Sequence, residues 1–254
     1  MKRIAVLVPF AFDDEGLANR QSQQQSVSWG PGIEFEYIPV KAGPNWYEGY
    51  HDWMLGDLAM TEAGLRAAAL GFDALCIDTM SDSGVNILRQ ILDIPVIGPG
   101  RASYLTAMML GTKFGVLTQW GPWAAIYKKA VGDLGLQNHC AGVRHIDTKP
   151  DVVNLLGGKE EVVFPKLLAA ANLLIEDGAD VICLGSTTMH QSHAFLAENL
   201  SVPIINPGPL TYKLADILLD LGLTQSRTAY PTPHAPKLEM IEAMLDAAAI
   251  QQAS

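Results

Sequence analysis

The sequence predicts an α/β protein built from two related halves with mostly parallel sheets. Short apolar runs alternate with longer helical segments, which is the pattern of parallel strands joined by helices. The strand-like runs lack polar alternation, as expected when helices cover both faces of a sheet. In addition, residues 72–84 (FDALCIDTMSDSG) correspond to residues 178–190 (GADVICLGSTTMH), and residues 93–111 correspond to residues 201–222. This ordered repeat indicates two pseudo-symmetric domains.

The predicted elements follow this alternation along the chain. Strands are expected at RIAVLVPF (3–10), IEFEYIPVK (33–41), FDALCIDT (72–79), IPVIGPG (94–100), KFGVLTQW (113–120) and HCAGVRHID (139–147), and helices at residues 55–70 and near residues 84–92. We expect two flavodoxin-like or Rossmann-like domains, one formed by residues 1–97 with 208–254 and the other by residues 98–207.

The two corresponding strands both end on a hydroxyl residue. Thr79 ends the first and Ser186 ends the second, 107 positions later. Further correspondences are Pro95 with Pro203, Pro99-Gly100 with Pro207-Gly208, and Tyr104 with Tyr212. Ligands of open parallel sheets bind beyond the carboxyl ends of the strands. If the two halves face each other, we expect Thr79 and Ser186 to approach one substrate in an interdomain cleft.

Composition excludes several classes of protein. The chain has 254 residues, of which 49% are hydrophobic and 17% charged, and this balance is typical of a compact globular protein. Its net charge of −10 argues against a nucleic-acid partner, because phosphate binding needs a basic surface. We expect no membrane span, because the chain lacks a run of eighteen or more apolar residues. The three cysteines form no Cys-x-x-Cys pair, which suits a reducing cytoplasm.

Several segments resemble the aspartate/glutamate/hydantoin racemase superfamily, nearest its hydantoin and allantoin racemase branch. The segments are GPNWYEGYHD (43–52), SDSG (81–84), VPIINP (202–207), YKLADILLDLGL (212–223) and AYPTP (229–233). The resemblance implies two α/β domains with the active site between them, and a small carboxylate or cyclic amide as substrate. It also implies catalysis without pyridoxal phosphate, any other cofactor or a metal. We further expect a homo-oligomer.

In such racemases a cysteine at each of the two strand ends moves the proton, one removing it from the α-carbon and the other returning it to the opposite face. Here Thr79 stands where the first cysteine is expected, and Ser186 where the second is expected. An alcohol has a pKa about seven units above that of a thiol, which makes the base roughly 10 kcal/mol harder to form. Ordinary two-cysteine racemisation is therefore not expected.

The remaining cysteines do not replace the missing pair. Cys76 and Cys183 lie three residues before Thr79 and Ser186, so strand alternation points them to the opposite face of the sheet. We predict that both are inert core residues, and that Cys140 is a core residue as well.

Three hypotheses remain for the function. In the first, the site stabilises a carbanion or enediolate next to a carboxylate or carbonyl, as a racemase, isomerase, decarboxylase or lyase does. Hydroxyl and backbone N–H groups form its anion-binding cradle, with side chains from Thr79, Ser81, Ser186, Thr187 and Thr188.

In the second hypothesis, Ser186 or Thr79 is a nucleophile or positions water in a hydrolase, and a nearby base activates it. His190 is the first candidate for the base, because it shares a face with Ser186 if a helix starts at this loop. Asp78 and Asp82 are further candidates, although alternation turns Asp78 away from Thr79. In the third hypothesis, the protein binds a small ligand and has lost catalysis.

Other residues are candidates for substrate contact. Pro9 and Phe10 follow the first strand, where the resembling branch carries a polar run, and their apolar character indicates a bulkier or less polar substrate. The remaining candidates are Asp82, Thr118, Gln119, Pro207 and Tyr212. His190 and His193 have a spacing compatible with metal binding, but no third ligand accompanies them, so we expect no metal site.

Overall fold

The computed structural model describes residues 1–151, 153 and 155–253, and it confirms the predicted α/β fold with two parallel sheets. The strands are β1 (Lys2–Val8), β2 (Ile33–Pro39), β3 (Ala74–Ile77), β4 (Val96–Ile97), β5 (Phe114–Thr118), β6 (Cys140–His145), β7 (Val181–Leu184) and β8 (Ile204–Ile205). The α-helices are α1 (Asp14–Gln21), α2 (Tyr50–Ala69), α3 (Val85–Ile91), α4 (Pro99–Leu110), α5 (Ala124–Asp133), α6 (Glu160–Glu176), α7 (His193–Asn199), α8 (Pro207–Asp220) and α9 (Leu238–Ala253). Short 3₁₀ helices occupy Ser22–Ser26, Gly121–Trp123, Gln137–His139 and Thr187–Ser192.

The chain divides into two compact units, which we call unit 1 (Met1–Gly98 with Thr211–Ser254) and unit 2 (Pro99–Leu210). The sheet of unit 1 has the strand order β2-β1-β3-β4, and the sheet of unit 2 has the order β6-β5-β7-β8. Every pairing is parallel. The second order reproduces the first with four added to each number, so the repeat seen in the sequence is a repeat of topology.

One face of each sheet packs into a large apolar core. In unit 1 this core includes Leu75 and Ile77 of β3 together with Met60 of α2 and Leu88 of α3. In unit 2 the corresponding core includes Ile182 and Leu184 of β7, Leu117 of β5, and the helix residues Leu167 and Leu174. Alternation then carries the next residue of that face, Thr79 or Ser186, to the end of the strand.

Helix α2 starts five residues before the predicted residue 55. The carboxylate of Asp52 accepts hydrogen bonds from the backbone N–H groups of Glu48 at 2.9 Å and Gly49 at 3.2 Å. These bonds satisfy N–H groups at the helix start, which have no partner within a helix. Within the described residues, no helix has both the length and the hydropathy to cross a membrane.

Candidate active site

A chain of three hydroxyl groups lies at the carboxyl end of β3 in unit 1. Thr79 Oγ1 is 3.0 Å from Ser81 Oγ, which is 2.8 Å from Ser83 Oγ. The structure therefore brings together two of the predicted site residues, Thr79 and Ser81. It adds Ser83, which is fully buried and was not among the predicted site residues. The signal for Ser83 was present in the segment SDSG, because alternate residues of that turn carry a hydroxyl.

Asp82 lies inside this turn and has an uncommon backbone conformation. Its φ of 53° is in the left-handed region, which costs free energy for any residue with a side chain. Its N–H donates to the carbonyl of Thr79 at 3.0 Å, and its carbonyl accepts from Val85 at the start of α3 at 3.1 Å. Such strained positions concentrate at active sites, since the surrounding structure must hold them in place.

Gly98 provides the space for the Asp82 carboxylate. A β-carbon at Gly98 would lie 2.5 Å from the Asp82 carboxyl carbon, well inside van der Waals contact. Gly98 directly follows β4, the strand that pairs with β3, so both residues belong to the same edge of the sheet. A side chain at position 98 is therefore incompatible with the observed place of this carboxylate.

Asp78 points away from the hydroxyl chain, as alternation predicts. Its carboxylate pairs with the guanidinium of Arg20 at 3.0 Å, and both side chains are at most 1% exposed. The amide of Gln23 donates to the same carboxylate at 3.4 Å. Arg20 was missed by sequence reasoning, because a single arginine in a polar helix gives no sign of burial. Asp78 is thus engaged on the opposite side of the sheet from Thr79.

The loop after β1 forms an aromatic group in unit 1. The ring of Phe10 stacks on Phe12 with centroids 5.3 Å apart, and Tyr47 meets Phe10 edge-on at 6.0 Å. The Tyr47 hydroxyl donates to the carbonyl of Pro9 at 3.3 Å, and burial raises the pKa of Tyr47, so this hydroxyl stays protonated. Pro9 and Phe10 follow the strand next to β3 in the sheet. The substrate contact predicted for both stays a prediction.

A second polar cluster lies at the carboxyl end of β7 in unit 2. Ser186 Oγ accepts from the backbone N–H of Thr188 at 3.1 Å and lies 2.7 Å from Thr188 Oγ1. Thr188 Oγ1 also donates to the side-chain oxygen of Gln119 at 3.2 Å. Three predicted site residues from two strand ends thus form one hydrogen-bonded group. The neighbouring Thr187 is buried at the start of the 3₁₀ helix.

Thr118 has a different partner from Gln119. Its hydroxyl is 2.9 Å from that of Tyr127 on α5, and both residues are fully buried. Burial raises the pKa of Tyr127, which keeps its hydroxyl protonated and able to donate. Sequence reasoning missed Tyr127, because nothing in the sequence around a buried helix tyrosine indicates that its hydroxyl forms a hydrogen bond.

His190 was expected to share a face with Ser186 on an α-helix, in which residues four apart lie on one side. The segment Thr187–Ser192 is a 3₁₀ helix with three residues per turn, and Ser186 is its N-cap. Positions 186 and 190 therefore do not share a face through helical periodicity. The role of His190 as a base stays a prediction without that support.

Tyr212 lies in the core of unit 1. Its hydroxyl is 3.1 Å from that of Tyr37, and its ring packs 5.4 Å from Phe35. Burial raises the pKa of Tyr212 well above its usual value. Pro207 begins α8. For both residues the predicted substrate contact stays a prediction, and the observed surroundings of Tyr212 are those of a packed residue.

Two of the three cysteines are unreactive because they are buried. Cys76 and Cys183 are completely buried, and burial raises the pKa of both thiols far above the usual range. Each thiol faces a backbone carbonyl of a helix, that of Thr211 for Cys76 and that of Ser103 for Cys183. The prediction for Cys140 was wrong: this residue starts the edge strand β6 and is only half-buried.

We expect Cys76 and Cys183 to resist alkylation by iodoacetamide in the native protein at pH 8, because the reagent attacks the thiolate and neither thiol ionises there. Peptide mapping by mass spectrometry after native and denatured labelling measures this. The denatured protein, in which all three thiols react, is the control. Rapid native labelling of either cysteine would contradict the assignment.

No group of three histidine, cysteine or acidic side chains suited to a metal ion occurs among the residues that the structure describes. The groups that the structure places at the two strand ends are hydroxyls, an amide, backbone N–H groups and the Asp82 carboxylate. Donors of this kind stabilise negative charge on a ligand oxygen.

Comparisons with known proteins agree with this fold. The sequence profile of the Asp/Glu/Hydantoin racemase family matches residues 19–215. A hydantoin racemase from Rhizobium meliloti is 31% identical over 183 residues, covering 69% of this chain and 75% of that protein. One from Pseudomonas sp. (strain NS671) is 27% identical over 190 residues, covering 75% and 76%. The structure of an allantoin racemase from Klebsiella pneumoniae superposes with a TM-score of 0.82 at 26% identity, covering 93% and 95%. The chain belongs to the Asp/Glu/hydantoin racemase family.

Proposed function

We propose that the protein is a cofactor-independent enzyme that acts at a carbon next to a carboxylate or carbonyl, in the manner of a racemase or isomerase. One observation carries the proposal: both corresponding strand ends of a racemase-family chain present hydrogen-bonded hydroxyl clusters instead of thiols. Hydroxyl donors held in place stabilise the oxyanion of an enediolate without reorganising during the reaction.

In this proposal Asp82 removes the α-proton, the step that one of the two cysteines performs in ordinary family members, and a solvent water returns a proton to the opposite face. A carboxylate has a reference pKa near 4 and is a ready base at neutral pH, whereas the Thr79 hydroxyl is not. Three observations support the choice. Asp82 is in the same turn as the hydroxyl chain, its backbone is strained, and a glycine at position 98 makes room for its carboxylate.

The proposal is tested by proton NMR in deuterated water. Candidate 5-substituted hydantoins, free amino acids and substituted malonates are incubated with the enzyme, and the signal of the α-proton is followed. Loss of that signal without a new compound, together with loss of optical activity, supports racemisation. Absence of exchange with every candidate, under conditions in which the ligands bind, would exclude it.

The same experiment separates the other hypotheses. Release of carbon dioxide from a malonate identifies a decarboxylase, and ring opening of a hydantoin identifies a hydrolase in which Ser186 is the nucleophile or positions water. For the hydrolase, replacing His190 with glutamine abolishes turnover only if that residue is the base. Saturable binding with no chemical change identifies a protein that binds a small ligand and has lost catalysis.

We expect Gly98→Ala to lower activity at least tenfold with little loss of stability. The added β-carbon would lie 2.5 Å from the end of the Asp82 side chain, which moves more easily than backbone. Displacing a reacting group by about 1 Å costs on the order of 10²-fold in rate. The assay compares α-proton exchange rates and melting temperatures. Gly30→Ala is the matched control, since no atom lies within 4 Å of a β-carbon there; full activity in Gly98→Ala would contradict the role of Asp82.

A further inference from the structure

Asn206 lies at the carboxyl edge of the unit 2 sheet, at the end of the strand next to the one that leads to Ser186. It directly follows β8, which pairs in parallel with β7 through Cys183 and Ile205. Ile204 packs against the same core as Ile182 and Leu184. Strand alternation therefore continues that face to Asn206 on β8 and to Ser186 on β7. The amide and the hydroxyl belong to one side of one sheet edge.

The side-chain oxygen of Asn206 is buried and has no hydrogen-bond partner among the residues that the structure describes. The residue is 9% exposed, and its Oδ1 accepts no hydrogen bond from any group that the structure describes. An asparagine before a helix usually caps it by accepting from the second or third helical N–H. Asn206 precedes Pro207, the first residue of α8, yet its side chain makes no such bond. A buried acceptor left without a donor is costly, so an explanation is required.

The repeat shows what is distinctive about this position. Asn206 corresponds to Gly98, because each precedes a Pro-Gly pair that begins a helix. In unit 1 the space above Gly98 holds the Asp82 carboxylate. The residue that corresponds to Asp82 in unit 2 is Met189, which is apolar and fully buried. At this edge of unit 2, the polar group thus comes from position 206 instead.

We propose that Asn206 is a specificity-determining residue that recognises an amide group of the ligand by hydrogen bonding. Its oxygen accepts an N–H group, and its NH₂ group donates to the neighbouring carbonyl oxygen, so the side chain matches a ligand with N–H beside C=O. A dicarboxylate offers acceptors alone and leaves the Asn206 oxygen without a donor. This inference rests on the proposed function, in that the ligand is taken to react at the neighbouring carbon.

The test measures binding by calorimetry for a 5-substituted hydantoin and for its two mono-N-methylated forms. We expect one methylated form to bind at least tenfold more weakly to the wild-type protein. Asn206→Ala and Asn206→Leu are expected to weaken binding of the free hydantoin at least tenfold and of that methylated form less than threefold. Asn199→Ala, an exposed asparagine on α7, is the matched control and leaves all three affinities unchanged.

Stability separates ligand recognition from a structural role. Replacing a buried amide whose oxygen lacks a partner with leucine, which has a similar volume, leaves the melting temperature unchanged or raises it, whereas removing a structural cap lowers it. Equal affinity of the wild-type protein for free and methylated rings overturns the inference, as does an unchanged affinity of a folded Asn206 variant. So does a lack of binding by every free ring. The proposed function is judged separately, by α-proton exchange in deuterated water, and survives these outcomes if exchange occurs.

Discussion

Replacing Asp82 with asparagine is expected to lower the rate of α-proton exchange by about 10²–10⁴-fold, the usual contribution of a positioned general base. Asparagine has nearly the same shape and accepts the left-handed backbone conformation with φ of 53°, so the turn and the Thr79–Ser81–Ser83 hydroxyl chain remain in place. The substitution removes the basic carboxylate and leaves the rest of the side chain unchanged. Exchange followed by NMR, with the melting temperature measured in parallel, detects the effect.

The control for this variant is the same substitution at Asp147. That residue also has a left-handed backbone, with φ of 49°, but its side chain is 78% exposed and pairs with His145 at 3.0 Å. Asp147→Asn therefore reproduces the chemical change and the backbone conformation at a side chain that is exposed to solvent, and we expect an unchanged rate. A fully active Asp82→Asn enzyme would exclude Asp82 as the base and would leave His190 as the next candidate.

Replacing Arg20 with methionine is expected to destabilise the protein by about 3–5 kcal/mol, because Asp78 then loses the guanidinium that compensates its buried charge. The guanidinium also lies 5.5 Å from the centroid of the Phe10 ring, so its removal loosens the loop after β1. Urea denaturation followed by circular dichroism measures the change. Asp78→Asn in the same chain is expected to restore part of the loss, since no buried carboxylate then remains at this position.

An exposed ion pair provides the comparison. Arg144 and Asp177 are 2.7 Å apart, and their side chains are 41% and 38% exposed. Arg144→Met should cost less than about 1 kcal/mol, as is usual for surface pairs. Equal costs at positions 20 and 144 would show that the Arg20–Asp78 pair contributes no more than a surface contact.

The order and type of the strands were predictable because each run of apolar residues was bounded by turn residues. The repeat strengthened this prediction, since one half served as an independent copy of the other. Boundaries were less predictable: α2 begins at Tyr50 because a carboxylate at position 52 reaches back to two backbone N–H groups. The burial of Cys140 was misjudged because nothing in its sequence segment identifies β6 as an edge strand.

Strand alternation predicted which hydroxyls lie at the strand ends, and Ser186 and Thr188 were found hydrogen-bonded there. It did not predict their partners from distant segments. The pairing of Arg20 with Asp78 joins residues 58 positions apart, and the meeting of Thr118 with Tyr127 depends on how α5 packs. The backbone conformation of Asp82 and the space at Gly98 that its carboxylate occupies are tertiary properties. Local sequence patterns do not encode them.

The hydroxyl chain of unit 1 can reverse its polarity. In each link, from Thr79 to Ser81 and from Ser81 to Ser83, either oxygen can be the donor. Rotating the three hydroxyl hydrogens together reverses the polarity of the whole chain while every oxygen keeps its position. The end at Thr79 can thus offer a hydrogen to an anionic ligand or a lone pair to a neutral one. A rigid scaffold thereby keeps its shape while the polarity at its Thr79 end can take either sign.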